Sequence, residues 1–192
     1  MESKEKNTKE KILEEALKLF AQSGYMGTSM NDIASKLGVT KAALYKHYKS
    51  KQEILDSIIE KMNELDIERV KLYEMPEGDV EKVTAEYKET AFDKIKQFTK
   101  VQFLHWTEEE FSSCFRKMLT LEQYREPQMA QLYQNYLASG PLAYMEALFS
   151  GMLGDAEKAR QTALDFYGPI FLLYSIYDGA EDKSHVIKLL EE

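Results

Sequence analysis

Between residues 28 and 51 the chain gathers side chains suited to gripping a polyanion: Thr28, Thr40, Lys41, Ala42, Tyr45, Lys46, His47 and Lys51. A lysine ammonium can pair with a phosphate or donate to guanine O6 and N7, and a small apolar group can meet a thymine methyl. Residues on a helix turn by about 100° each, so Lys41, Tyr45, Lys46, His47, Tyr48 and Lys49 must divide between base edges, phosphates and core. The spacing predicts Lys41, Ala42 and Tyr45 at the groove, with Thr40 capping the helix that carries them. Lys46, His47, Lys51 and Thr28 are expected at backbone phosphates. Tyr48 is expected in the core, and Lys36 and Lys49 as solubilising charges.

The elements that must position these groups are legible around them. Met30–Tyr48 reads as two short amphipathic helices broken at Leu37-Gly38-Val39. Ala34 allows close helix approach, Gly38 supplies a positive φ, and Ile33 and Leu44 fill the wedge between the helices. Ser29 and Asp32 have the spacing of a capping box, and Thr40 is a natural N-cap. Upstream, Ile12, Leu13, Ala16, Leu17 and Phe20 form an apolar stripe over residues 8–23, which Gly24 should stop. Downstream, Ser50 and Glu53 have the spacing of a second capping box, opening a helix with Ile54, Leu55, Ile58, Ile59, Met62 and Leu65. A helix-turn-helix unit of this kind exists to place its second helix in the major groove of DNA.

Residues from about 8 to 55 resemble the DNA-binding domain of the tetracycline-repressor-like (TetR/AcrR) transcriptional regulators. The resemblance rests on Ile12, Ala16, Phe20, Gly24, Tyr25, Thr28, Ser29, Ile33, Ala34, Gly38, Val39, Ala43, Leu44, Tyr45, Tyr48, Lys51 and Leu55. Tyr48 stands where the family more commonly has Phe. The resemblance implies a homodimer on a palindromic double-stranded DNA operator, released by a small-molecule effector that the rest of the chain binds. It also implies that the last two long helices form the dimer interface.

Charge supports a division into headpiece and body. Over all 192 residues the net charge is −8, which by itself argues against nucleic acid. Residues 1–51, however, hold ten Lys against six Asp and Glu, a net of +4, leaving −12 for the remainder. A basic end on an acidic body favours docking by that end alone. We therefore expect a helix-turn-helix DNA-binding domain over residues 1–52 and a helical effector-binding and dimerisation domain over 53–192. The lone Cys114 excludes an intrachain disulfide and suits a reducing, cytoplasmic setting. No apolar run is long enough to span a bilayer.

No alternating strand pattern occurs, so an all-α fold is expected. Helices are predicted to about Tyr73, from Val80 to Trp106, after a Thr107/Glu110 capping box, after Glu126-Pro127, and after an Asp155 N-cap, with a short last helix around Val186–Leu190. Ala91 is one of the apolar positions of the helix from Val80. Pro76-Glu77-Gly78 should break the chain, and Gly140-Pro141 should bend or divide its helix. Candidate effector walls are Phe98, Gln102, Phe103, Trp106, Phe115, Tyr133, Tyr136, Phe166 and Tyr174. The helix after Asp155 is apolar on more than one face around Phe166, Tyr167, Ile170 and Phe171, which suits burial against a second copy. His105 and Cys114 lack the companions a metal site needs. No nucleophile motif or catalytic dyad occurs, and the Glu108-Glu109-Glu110 run complements a helix start, so neither enzyme chemistry nor a cofactor is expected. A DNA-binding architectural or protein-recruiting protein without an effector is the alternative reading.

Overall fold

The computed structural model describes residues 2–76, 79–89 and 92–191, and the helices they form pack as two units, one of Met1–Glu68 with Glu110–Ala130, the other of Arg69–Glu109 with Gln131–Glu192. The first begins with α1 (Glu2–Ser23), α2 (Met30–Leu37), α3 (Lys41–His47) and α4 (Lys51–Leu72), and adds α7 (Glu110–Glu122). Its core follows the apolar stripe: Ile12, Leu13, Ala16, Leu17 and Phe20 of α1 are buried with Ile33, Leu44, Ile54, Leu55, Ile58 and Met62. From α7, Phe115, Met118 and Leu119 are buried too. The packing boundary therefore differs from the expected break at residue 52. α4 continues past the headpiece to Leu72, and α7, far along the chain, packs on α1.

Local chemistry sets the element ends. Gly24 (φ 79°) donates its N–H to the Phe20 carbonyl at 3.0 Å and ends α1. The Ser29/Asp32 box is complete: the Asp32 N–H donates to Ser29 Oγ at 3.2 Å and the Ser29 N–H to Asp32 Oδ2 at 2.8 Å. At Ser50 only half of the expected box forms. The Glu53 N–H donates to Ser50 Oγ at 3.1 Å, but the Glu53 carboxylate takes the Lys49 N–H instead. The Thr107/Glu110 box does not form, because Thr107 closes α6 (Phe92–Thr107) by donating its hydroxyl to the Phe103 carbonyl at 2.7 Å.

The second unit contains α5 (Val80–Glu89), α6, α9 (Ser139–Leu153), α10 (Ala156–Gly179) and α11 (Lys183–Glu191). α8 (Pro127–Leu137) and α4 each run through a boundary between the units. The single helix expected from Val80 to Trp106 is two, α5 and α6. Ala91 and the Glu77-Gly78 part of the predicted break lie outside the described residues. The division near Gly140-Pro141 is present: α8 ends at Leu137, and Pro141 falls in the first turn of α9, where a missing N–H is tolerated. A Cβ on Gly140 would stand 2.1 Å from the Asn135 carbonyl oxygen, so only glycine fits. Asp155 caps α10 by accepting the N–H groups of Glu157 and Lys158, both at 3.1 Å. α10 runs unbroken through Pro169.

Candidate nucleic-acid interface

α3 has two faces. Leu44 and the C-cap residue Tyr48 are buried, and Lys41, Ala42, Tyr45 and Lys46 are exposed, as is the N-cap Thr40. Thr40 Oγ1 accepts the Ala43 N–H at 3.1 Å, fixing the start of the helix. The Gly38 turn (φ 67°) aims α3 relative to α2: the Val39 N–H returns to the Ala34 carbonyl at 3.0 Å. Lys41 Nζ lies 5.8 Å from the Tyr45 ring centroid, so two of the groups expected at the groove stand side by side. From residue 33 to residue 52 the chain has no Asp or Glu, and it places Lys36, Lys41, Lys46, Lys49 and Lys51 there. The face therefore offers an uncompensated positive charge around an aromatic and an aliphatic group.

Three expected contacts are placed differently. Thr28 is buried and donates its hydroxyl to the Gly24 carbonyl at 2.9 Å, so its side chain belongs to the turn after α1. Lys51 turns inward, donating to the carbonyls of Tyr25 at 2.5 Å and Thr28 at 2.7 Å, with its ammonium 4.3 Å from the Tyr25 ring centroid. Burial lowers its pKa, and the nearby Glu122 carboxylate partly offsets that. Lys51 is thus a brace of the headpiece, and sequence alone could not show two carbonyls waiting for it. His47 is half-buried, and its Nδ1 is shielded without a hydrogen-bond partner among the described residues.

The candidate effector walls do not form one set. Phe115 is fully buried in the first unit, while the other eight belong to the second. There Phe103 stacks on Tyr174 (centroids 5.3 Å apart, rings 4° from parallel), and Trp106 meets Tyr136 edge-on at 6.3 Å. Phe98 pairs with Tyr73 and Phe166 with Phe149, both at 6.1 Å. Gln102 accepts from Arg69 Nη1 at 3.3 Å, and Tyr133 is half-buried. Sequence reasoning missed Tyr177, which is buried edge-on to Phe103 at 5.7 Å with no hydrogen-bond partner for its hydroxyl among the described residues. It also missed a buried polar group in which Arg69 meets His105, whose Nδ1 is 2.7 Å from Glu109 Oε2. The His105/Glu109 spacing was visible, but Arg69 lies 36 residues away from His105.

The outward face of α10 is also shifted from expectation. Ile170 is buried, Phe166 packs on Phe149, and Tyr167 donates its hydroxyl to the Leu137 carbonyl at 2.9 Å, leaving only Phe171 of the four expected interface residues exposed. Burial raises the Tyr167 pKa well above the usual phenol value. The exposed apolar row is Leu164, Phe171, Leu172 and Ile176, with Leu172 58% exposed. Among the described residues no helix is long and apolar enough to cross a membrane, and no three His, Cys, Asp or Glu side chains are grouped to hold a metal.

Known proteins place the headpiece in a family. A profile described as "Bacterial regulatory proteins, tetR family" matches residues 12–58. The biofilm operon icaADBC HTH-type negative transcriptional regulator IcaR of Staphylococcus epidermidis is 42% identical over 52 residues, which cover 27% of this chain and 28% of that protein. Residues 12–58 are a TetR-family headpiece. The IcaR match covers well under two thirds of that protein's length. The fold of the whole chain is nevertheless that of TetR-family structures. A TetR/AcrR-type regulator from Aquifex aeolicus superposes with TM-score 0.65 at 22% identity, over 95% of both chains. The TetR family regulator PfmR from Thermus thermophilus gives 0.54 at 22% identity, over 94% of this chain and 89% of that one. Similarity at this level shows the all-α fold alone.

Proposed function

We propose that this protein is a ligand-responsive transcriptional repressor that binds a palindromic operator as a homodimer and is released by a small-molecule effector. The observation that carries the reading is the exposed face of α3, where Lys41, Ala42, Tyr45 and Lys46 stand on an acid-free stretch above a buried Leu44 and Tyr48. Lys41 and Tyr45 read the groove, and Lys46 neutralises phosphate. Thr28 and Lys51 hold the headpiece together. Dimerisation uses the α10 row Leu164, Phe171, Leu172 and Ile176, which recur on one helical face. Two such protomers carry their recognition helices into major grooves about 34–36 Å apart.

The effector is read by the second unit, where aromatic pairs and the Arg69–Gln102–His105–Glu109 group supply apolar walls with a few polar handles. It acts only through unequal affinity for the DNA-competent and incompetent states, with about 1.4 kcal/mol of difference giving a tenfold shift. Selection from a random-sequence duplex pool tests the reading. Enrichment of two inverted half-sites is expected, and a pool that stays random after repeated rounds overturns it. A thermal-shift screen of hydrophobic and cationic compounds then separates an effector-responsive protein from one that lacks an effector.

A further inference from the structure

The hydrogen bonds of the Arg69, His105 and Glu109 group in the second unit do not all fit together. Arg69 and His105 are buried, and Arg69 Nη2 meets His105 Nδ1, which also lies 2.7 Å from Glu109 Oε2. A guanidinium only donates and an ionised carboxylate only accepts, so Nδ1 must accept for the first contact and donate for the second. One ring nitrogen cannot do both, and the two contacts compete. Glu109 does not serve Arg69 directly instead. Its Oε2 stands 3.7 Å from Arg69 Nη2, beyond hydrogen-bond distance, and its side chain is 54% exposed. The buried guanidinium therefore has beside it a carboxylate that is tethered at the surface and held just out of reach.

We propose that Arg69 and His105 form the anion subsite for the ligand of the second unit, and that this ligand is a small carboxylate with a ring-bearing apolar body. A free carboxylate brings one oxygen to an Arg69 N–H and the other to the His105 Nδ1–H, which Glu109 on its tether does not do. It takes the place of the Glu109 carboxylate, whose exposure leaves that side of the group open to solvent. Charge agrees with an anion: in an otherwise acidic body, α6 carries Lys94, Lys96 and Lys100 against Asp93 alone. Of the adjoining carboxylates, Glu108 is exposed and Glu110 pairs with Lys18 at 3.1 Å. The neighbours fix the other end of the ligand. One helical turn from the Arg69–Gln102 contact, the rings of Tyr73 and Phe98 meet at 6.1 Å, and Trp106 lies edge-on to His105 at 5.1 Å. An anion held by Arg69 thus has aromatic rings for neighbours. The assignment rests on the reading of the second unit as the ligand-binding part and adds the chemical class it takes.

Isothermal titration of the full chain tests this with benzoate, phenylacetate and cinnamate, each beside its primary amide. At least one carboxylate should bind, about tenfold more tightly than its amide, which keeps the shape and loses the charge. Glu109→Gln removes the internal competitor from an exposed position. That carboxylate should then bind about tenfold more tightly than it does to wild type, with the amide unmoved, a gain that a merely structural role does not give. Arg69→Met should bring the difference between carboxylate and amide below about twofold. Glu109→Gln, at the surface, keeps the test decisive where the buried Arg69 variant does not fold. No carboxylate bound, equal affinity for carboxylate and amide, or a Glu109→Gln protein that binds the carboxylate no tighter overturns the inference. The titrations contain no DNA, so their failure leaves the operator reading standing, and a chain that selects no duplex from the pool overturns that reading alone.

Discussion

At the scale of single residues, the headpiece separates exposed side chains, proposed above to touch DNA, from side chains that hold the domain. Lys41 and Lys51 have the same chemistry and lie ten residues apart, yet one ammonium faces outward and the other donates to two carbonyls. The expected consequences are opposite. Lys41→Ala should cost about 1–3 kcal/mol of operator binding, as read by fluorescence anisotropy, and leave the melting curve in place. Lys51→Met should lower the melting temperature by an amount corresponding to about 1–3 kcal/mol, since its hydrogen bonds are charge-assisted, without changing the salt dependence of whatever binding survives. Asp32 offers a pH test. Hydrogen bonds from Ser29 hold its carboxyl below the usual carboxylate range. The ionised form is thus favoured in the folded state, and its contribution is present above that range and lost as pH falls through it. Asp32→Asn should melt lower than wild type near neutrality and lose less on acidification, as followed by circular dichroism melts from about pH 7 to about pH 3.

At the scale of elements, the parts legible in the sequence are those fixed by short-range chemistry. The Ser29/Asp32 box, the Thr40 and Asp155 caps and the Gly24 and Gly38 turns depend on residues within four positions of each other, and all are found. What was hidden depends on distant partners. Nothing local shows that α7 packs on α1 or that Phe115 and Phe103 are buried in different units. Nothing local shows that Thr107 closes one helix instead of opening the next. The same holds on α10: Phe166 meets Phe149, Tyr167 meets the Leu137 carbonyl and Ile170 is buried, and periodicity alone cannot say which apolar residues other segments cover. The turn between α2 and α3 gives a clean test of element geometry. A Cβ on Gly38 would meet nothing within 4 Å, so Gly38→Ala costs only the left-handed backbone. A loss of about 1–2 kcal/mol is expected in chemical denaturation, with operator affinity falling in parallel if the turn sets the angle of α3.

At the scale of the whole molecule, a basic headpiece is joined to an acidic body, and pairing of that body with a second copy is what would present two headpieces to one duplex. The exposed row on α10 makes the pairing testable independently of DNA. Leu172→Glu places a charge on that row, and light scattering should show the mass fall to that of the 22.3 kDa protomer, while wild type runs at twice that value. The most direct measurement is a titration of the full chain against its selected duplex and a shuffled duplex of equal composition, repeated from about 50 to about 200 mM salt. Two protomers should bind each selected duplex, with a clear preference over the shuffled sequence and a linear fall of log affinity with log salt as counterions are released. Equal affinity for the two duplexes, or binding indifferent to salt, would contradict a charged helix reading a specific groove.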